Sequence, residues 1–449
     1  MTRSVRIRGW WDDLRDSLWL IPSVAVVIAA VAAAVLTRVD PYLGWIPSAL
    51  TFSGTPDGAR AILAQLAGST ITVVGLVFSL TIIALQMAAT QFSPRLLRTF
   101  LRDRRVQVVL SAMIASAVYS VGVLRTVRSA AENVVPFVPR TAVSVALLAS
   151  FAAVGLLIYF IHYVAQHLRV DVVMREIVVA TLAQLERVEA DRDVLPDRIA
   201  PDPPADAVPV WARRGGYLQL VDASALADQA REAGLVVRLR PTLGEWVTEG
   251  TTIAWVWPDT ATGDAVGDRD EVAVLIHRYL HLGVDRTEST DLAYGLRQMQ
   301  DIATRALSPG VNDPTTAVLA IEQMSAVLCR YSRHPLGDSI VTDDDGAMRV
   351  AVPQPGFAAL VELAVGGAVR YGARDADVLT ALLTMLIDLA EHVADSSDRA
   401  AVVRRQVDRV GAAATCDDEI DVVRVERVRR LAEQALTQGT RSATVTAAK

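Results

Sequence analysis

The chain is almost without lysine. Lys449 is the sole lysine in 449 residues, so arginine supplies every other fixed cation. Chemistry that needs a lysine amine, such as Schiff-base formation or attachment of a prosthetic group, is therefore excluded everywhere but the last residue. Cysteine is scarce too. Cys329 and Cys416 are too few for a disulfide framework and read as small apolar side chains in a reducing compartment. Asparagine occurs only at Asn133 and Asn312. A basic excess is also missing: the net charge of −6 leaves no cationic face to neutralise phosphates, which excludes nucleic acid as a general partner. Catalytic signatures are lacking. No Gly-rich phosphate loop, Gly-x-Ser-x-Gly elbow or His-Glu-x-x-His pair is present. His277 and His281, four apart, could share a helical face as metal ligands, yet no third ligand stands near them. The expectation is a protein without enzymatic activity, metal or other cofactor.

Apolar residues are plentiful at 52%, while charged residues still reach 21%, a mixture that divides the chain into membrane and aqueous parts. Four apolar runs, about 18–37, 64–89, 106–124 and 141–163, are long enough to cross a bilayer, which takes about 20 helical residues. The arginine-rich start before the first run has no small-residue cleavage pattern after it, so that run reads as a membrane helix rather than a removed signal. Arginine counts near the helix ends set the orientation. With the N-terminus inside, the inner side has eleven and the outer side five, which places both termini in the cytoplasm. The lipid bilayer of a bacterial plasma (inner) membrane is the expected setting.

The second run differs from the others. At 100° per residue, Gly68, Thr72, Gly75, Ser79 and Gln86 fall in one sector, a small and polar face. Two readings stay open: close helix packing, or a water-filled path lined by this helix in a homo-oligomer. No carboxylate or histidine interrupts the middle of any run, which weakens ion-coupled transport but not a passive pore. After this helix, Gln91, Phe92, Ser93, Pro94, Arg95 and Arg98 form a membrane-surface motif. Ser93 and Pro94 fit a helix cap and first turn, and the arginines suit anionic headgroups or an anion-attracting vestibule.

The fold class expected is a membrane α-helical domain of four transmembrane helices followed by a cytoplasmic α+β region. The transmembrane domain takes 1–165, and a helix with a Pro/Asp-rich linker follows over 166–209. Alternating short runs over 210–260 predict a small β-rich module. Its Gly244 to Gly250 hairpin is similar to that of barrel-sandwich carriers of lipoyl or biotinyl groups. Lacking their lysine, the module is left with packing or ligand binding. Residues 270–437 predict a mainly α-helical domain with segments near 271–283, 288–307, 314–332, 355–371, 375–395, 398–411 and 417–437. The Asp343-Asp344-Asp345-Gly346 turn lacks the other ligand positions of a calcium loop and is expected to be solvated. A disordered tail is expected over 438–449.

The most distinctive run reaches from Asp291 to Ala317. It predicts a helix stopped by Pro309-Gly310, with Asp313 capping and Pro314 opening the next helix. Its Arg-Ala-Leu-Ser-Pro-Gly-Val-Asn-Asp-Pro-Thr-Thr-Ala stretch and the Gln-Phe-Ser-Pro-Arg-Leu-Leu stretch resemble the hallmarks of a family of predicted bacterial multi-pass membrane proteins, domain of unknown function 2254. The likeness spans the first membrane helix to about residue 437 and implies an architecture without an established activity. Ser308, Pro309, Gly310, Asn312, Asp313, Pro314 and Thr315 either cap and pack the turn, or join Asp301 and Arg305 in a polar site for a small ligand or partner protein. A homo-oligomeric channel is thus expected beside an alternative, a membrane-tethered sensor or scaffold.

Overall fold

A computed structural model describes residues 20–43, 45–91, 104–129, 136–167, 169–190, 199–259, 268–284, 286, 291–343 and 345–447. The chain divides into two compact units, Met1–Val172 and Val173–Lys449.

The first unit holds α1 (Leu20–Val39), α2 (Pro56–Gln91), α3 (Arg104–Leu124) and α4 (Arg140–His167). All four are long and apolar enough to cross a bilayer, over Leu20–Tyr42, Pro56–Met87, Arg104–Leu124 and Arg140–Gln166. α2 begins about eight residues before the expected start at 64. Thr55 accepts the Gly58 N–H at 3.2 Å and Pro56 needs no N–H partner, so the helix nucleates early and carries Gly58 and Arg60 in its first turns. Asp40, just past α1, accepts the N–H groups of Thr141 and Ala142 at 2.8 and 3.2 Å, which caps α4 from a distant loop.

α3 is the central helix. Buried residues make up 61% of its apolar span against 17% for each of the other three, so they pack around it. Toward one end, Tyr119 and Val123 of α3 meet Ala29 and Ala33 of α1, Leu63 of α2 and Ala142 and Val143 of α4. Toward the other, Val106, Val109 and Met113 meet Val77, Ala153 and Phe160. Small residues permit the closest approach: a Cβ on Gly122 would lie 2.7 Å from the Ala33 methyl.

The second unit opens with most of α5 (Val170–Ala190). Next come β1 (Val208–Trp211), β2 (Gly216–Val221), α6 (Ala223–Glu232), β3 (Leu235–Leu239), β4 (Trp246–Val247), β5 (Thr252–Pro258), α7 (Arg269–Tyr279) and β6 (Leu280–Gly283). Then follow α8 (Tyr294–Ala306), α9 (Pro314–Tyr331), β7 (Ser339–Thr342), β8 (Met348–Val352), α10 (Phe357–Gly372), α11 (Ala376–His392), α12 (Ser397–Ala413) and α13 (Glu419–Ala447). The strands form a five-stranded sheet in the order β1-β5-β3-β8-β7 and a three-stranded sheet in the order β4-β2-β6. One apolar core joins them, with Leu218, Leu226, Val237, Ile253, Ile276 and Val350 among its members.

Several expectations change here. The β-rich region is not confined to 210–260: Val237 and Arg238 of β3 pair in parallel with Val350 and Ala351 of β8, and β7 completes the edge. The segment expected to be helical over 271–283 ends at Tyr279, and Leu280–Gly283 pairs with β2 instead. His277 and His281 therefore share no helical face, and His277 Nε2 bonds the Trp211 carbonyl at 2.9 Å. The linker expected up to 209 is tied down over its last part. Ala200 donates to Asp338 at 2.9 Å, and Arg238 holds the Pro201 carbonyl and the Asp202 carboxylate, both at 2.8 Å. The tail expected to be disordered from 438 continues α13 to Ala447.

The acidic turn is not simply solvated. Asp343 accepts the N–H groups of Asp345 and Ala347 and pairs with Arg349 at 2.6 Å. Arg349 also pairs with Asp259 at 2.7 Å. The buried arginine thus fastens the β7–β8 hairpin to the end of β5.

Candidate functional site

Three places concentrate chemistry: the polar face of α2, the turn between α8 and α9, and a cleft between α9 and α11.

On α2, Leu63, Ala67, Thr70, Val77 and Ala84 are buried. Gly68, Thr72, Gly75, Ser79 and Gln86 are all exposed, so the polar face points away from the other described helices of its unit. Thr72 and Ser79 donate to the carbonyls of Gly68 and Gly75, both at 3.0 Å, which satisfies their hydroxyls within the helix. A Cβ at Gly68 or Gly75 would meet nothing within 4 Å. Ile71, Leu76, Phe78, Ile82 and Ile83 are exposed around them. The result is a shallow small-residue furrow in an apolar surface, the shape that admits a second helix. Gln91 ends α2, while Phe92, Ser93, Pro94, Arg95 and Arg98 lie outside the described residues.

The α8–α9 turn uses its polar groups locally. α8 stops at Ala306, ahead of Pro309-Gly310, and Ser308 Oγ donates to the Arg305 carbonyl at 2.6 Å. Asn312 takes φ +50°, and its N–H bonds the Ser308 carbonyl at 3.0 Å. Among the described residues it alone, glycine aside, has positive φ, a backbone state that asparagine tolerates better than most side chains. Asp313 caps α9 as expected: it accepts from Thr316 N at 3.1 Å and Thr316 Oγ1 at 2.6 Å, and Pro314 opens the helix. Pro309, Gly310, Asn312 and Thr315 are exposed, whereas Asp301 and Arg305 are half-buried. The geometry thus favours capping over a ligand pocket built on Asn312 and Asp313.

Asp291, which opens the same run, is buried. It accepts the Ala293 N–H at 3.0 Å and pairs with Arg286 at 3.8 Å. Gly244, at φ +78°, leaves it room: a Cβ there would overlap the Asp291 carboxylate. Tyr331 donates to the neighbouring Leu292 carbonyl at 2.8 Å, and burial first, then Asp291, holds its phenol well above the usual range.

Sequence reasoning missed the cleft, a space of 670 Å³ between α9 and α11 with Arg424 of α13 at its rim. Its lining carries Glu322, Asp377, Asp388 and Glu391 together with the apolar Val318, Ala326 and Met385. Arg424 is committed to Asp377 at 2.6 Å, and Asp388 accepts from Ser325 Oγ at 2.9 Å. Glu322 and Glu391 have no partner among the described residues. His392 Nδ1 donates to the Asp388 carbonyl at 2.7 Å while Arg333 donates to Nε2 at 2.9 Å, which fixes its tautomer. Burial pushes the Cys329 thiol up despite its Ser325 contact, so it stays protonated at neutral pH. The carboxylates at 388 and 391 stand one helical turn apart, a spacing that could have flagged this face. Among the described residues no group of three or more His, Cys, Asp or Glu could hold a metal ion.

Four bilayer-length helices joined to a mixed helix and sheet unit define a membrane protein of multi-pass layout. The chain belongs to the family described as predicted membrane protein (DUF2254), whose model matches residues 15–388. It is similar to an uncharacterized protein of Mycobacterium bovis and one of Mycobacterium tuberculosis. Each is 37% identical over 394 residues, covering 87% of this chain and 75% of the relative. No solved structure matches it.

Proposed function

We propose that the protein is a homo-oligomeric, channel-like protein of the bacterial plasma membrane, with α2 at the subunit junction and both termini in the cytoplasm. The observation that carries this reading is the outward-facing α2 furrow: Gly68 and Gly75 meet no other helix among the described residues. Lipid chains press equally on all apolar faces, so a furrow of this kind gains by close contact with another helix. Several copies meeting there would set Thr72, Ser79 and Gln86 around one axis, a polar lining without fixed charge. The arginine excess supports the cytoplasmic assignment of both ends.

Cysteine pairs introduced at Thr72 or Ser79 should cross-link between copies in native membranes, and reconstituted vesicles should pass small solutes under osmotic shock or voltage. Monomers that never cross-link, or tight vesicles under every stimulus, would remove the channel reading.

The cleft favours a second reading, a membrane-tethered sensor. Its volume lies in the range of small-molecule sites, and the uncompensated Glu322 and Glu391 among apolar lining residues suit an organic cation. Titration of the full chain in detergent with spermidine tests it. Saturable binding lost in Glu322→Gln with Glu391→Gln supports the site, and equal binding by the double variant removes it.

A further inference from the structure

The loop that leads from β1 of the five-stranded sheet to β2 of the three-stranded sheet, with β4 beside it, is employed by neither the α2 furrow nor the cleft. Trp211 and Trp246 are each 52% exposed there, although indole rings are seldom left half in water without a partner. A Cβ on Gly215 would touch the Trp246 ring at 3.5 Å, and Tyr217 packs edge to face on that ring at 5.0 Å between centroids. Arg286 lies over Tyr217 at 5.5 Å, and Val284, just past β6, is 84% exposed. The loop after Trp211 carries Arg213 and Arg214, both exposed. Arg214 donates to the Leu282 carbonyl at 2.6 Å, which leaves its charge unneutralised, and Arg213 has no partner among the described residues. His277, bonded to Trp211, adds no charge. Burial first, and the two arginines beside it, push its imidazole down. Of the acidic neighbours, Glu245 is spent on Thr242 and Asp291 on Arg286, which leaves Glu249 against the two loop arginines.

We propose that this patch around the β1–β2 loop, Trp211, Arg213, Arg214 and Trp246, docks on a lipid surface of anionic headgroups. Tryptophan and arginine together match that surface: indoles settle at headgroup level, and guanidinium groups meet phosphates. The chain carries its own membrane helices, so the lipid is present at high effective concentration and a weak surface suffices. A protein partner is the competing occupant. It would favour a defined pocket over two exposed indoles flanking a cationic loop.

The test uses the full chain in nanodiscs of phosphatidylcholine alone or mixed with phosphatidylglycerol, with some lipids brominated near the headgroup. The Trp246 signal is the fluorescence difference between wild type and Trp246→Phe. It should be quenched in the anionic discs, and quenching should fall severalfold in the neutral discs, in raised salt and in Arg213→Ala. Arg213 makes no contact that the fold depends on, so its variant keeps the structure, checked by an unchanged Tm. Unquenched Trp246 in anionic discs, or quenching indifferent to headgroup charge and to Arg213→Ala, overturns the proposal. So does cross-linking from position 246 to another protein with the lipid signal absent. The outcome is independent of whether the copies oligomerise.

Discussion

Asn312 shows how one residue can be chosen by its backbone. Its φ of +50° costs an ordinary side chain roughly 1 kcal/mol, a cost that glycine avoids and asparagine reduces. Asn312→Ala should therefore destabilise the second unit by about 1 kcal/mol, and Asn312→Gly should be close to neutral, read as midpoints of chemical denaturation. A ligand role would give the opposite pattern, with both variants folding normally and both losing binding. Asp313→Ala should cost about 1 kcal/mol through the lost cap.

Asp343 carries a pH dependence. Burial alone would raise its carboxyl, but the Arg349 hydrogen bond, the Ala347 N–H and the Arg349 charge outweigh that and hold it below the usual range. A carboxylate lowered on folding contributes stability above its unfolded value, about 3.9, and loses it as pH falls through that value toward the folded one. Wild type should melt higher than Asp343→Asn at pH 7, and the gap should close as pH falls through the unfolded value and below it. A gap that stays constant with pH would show that the pairing contributes nothing.

Among the elements, glycines in the membrane unit divide into two kinds. Gly122 sits against Ala33, where any side chain collides, whereas Gly75 faces open space. Gly122→Val should lower the thermal midpoint of the detergent-solubilised monomer. Gly75→Val should leave that midpoint unchanged and reduce only cross-linking between copies. If both variants unfold the monomer alike, the outward placement of the furrow is wrong.

The helices of this unit were legible because a run such as 18–37 has no charge to contradict it, and hydropathy marks it without regard to neighbours. The centrality of α3 was not legible. Its serines and Gln107 make it the least apolar of the four, and the sequence does not say which helix has neighbours on every side. In the second unit, capping chemistry at Asp313 and Pro314 is local and was readable. The exchange of helix for strand at Leu280 was not, since pairing with Leu218 and Val221 decides it and the apolar spacing there suits either state. The cleft was hidden for the same reason. Glu322 and Asp388 belong to different helices, and packing alone brings them to one space.

At the scale of the molecule, the sheet makes the stretch from Val208 to Val352 one folding unit rather than a module with a helical domain after it. A fragment of 199–259 has β1, β3 and β5 but leaves β3 without β8 and Asp259 without Arg349. It should show the broad amide spectrum of an unpacked chain, while 199–447 should give dispersed resonances. A well-folded short fragment would restore the separate module.

The parallel pairing of β3 with β8 also sets a timetable. Val237 leaves the ribosome about 110 residues before Val350, and at about 5–20 residues per second that interval is on the order of 5 to 20 s. Throughout it one edge of β3 presents bare N–H and C=O groups, an invitation to any other nascent strand. Polysomes making this protein would hold many such edges at once, and translation speed across α8 and α9 would govern how long each stays open.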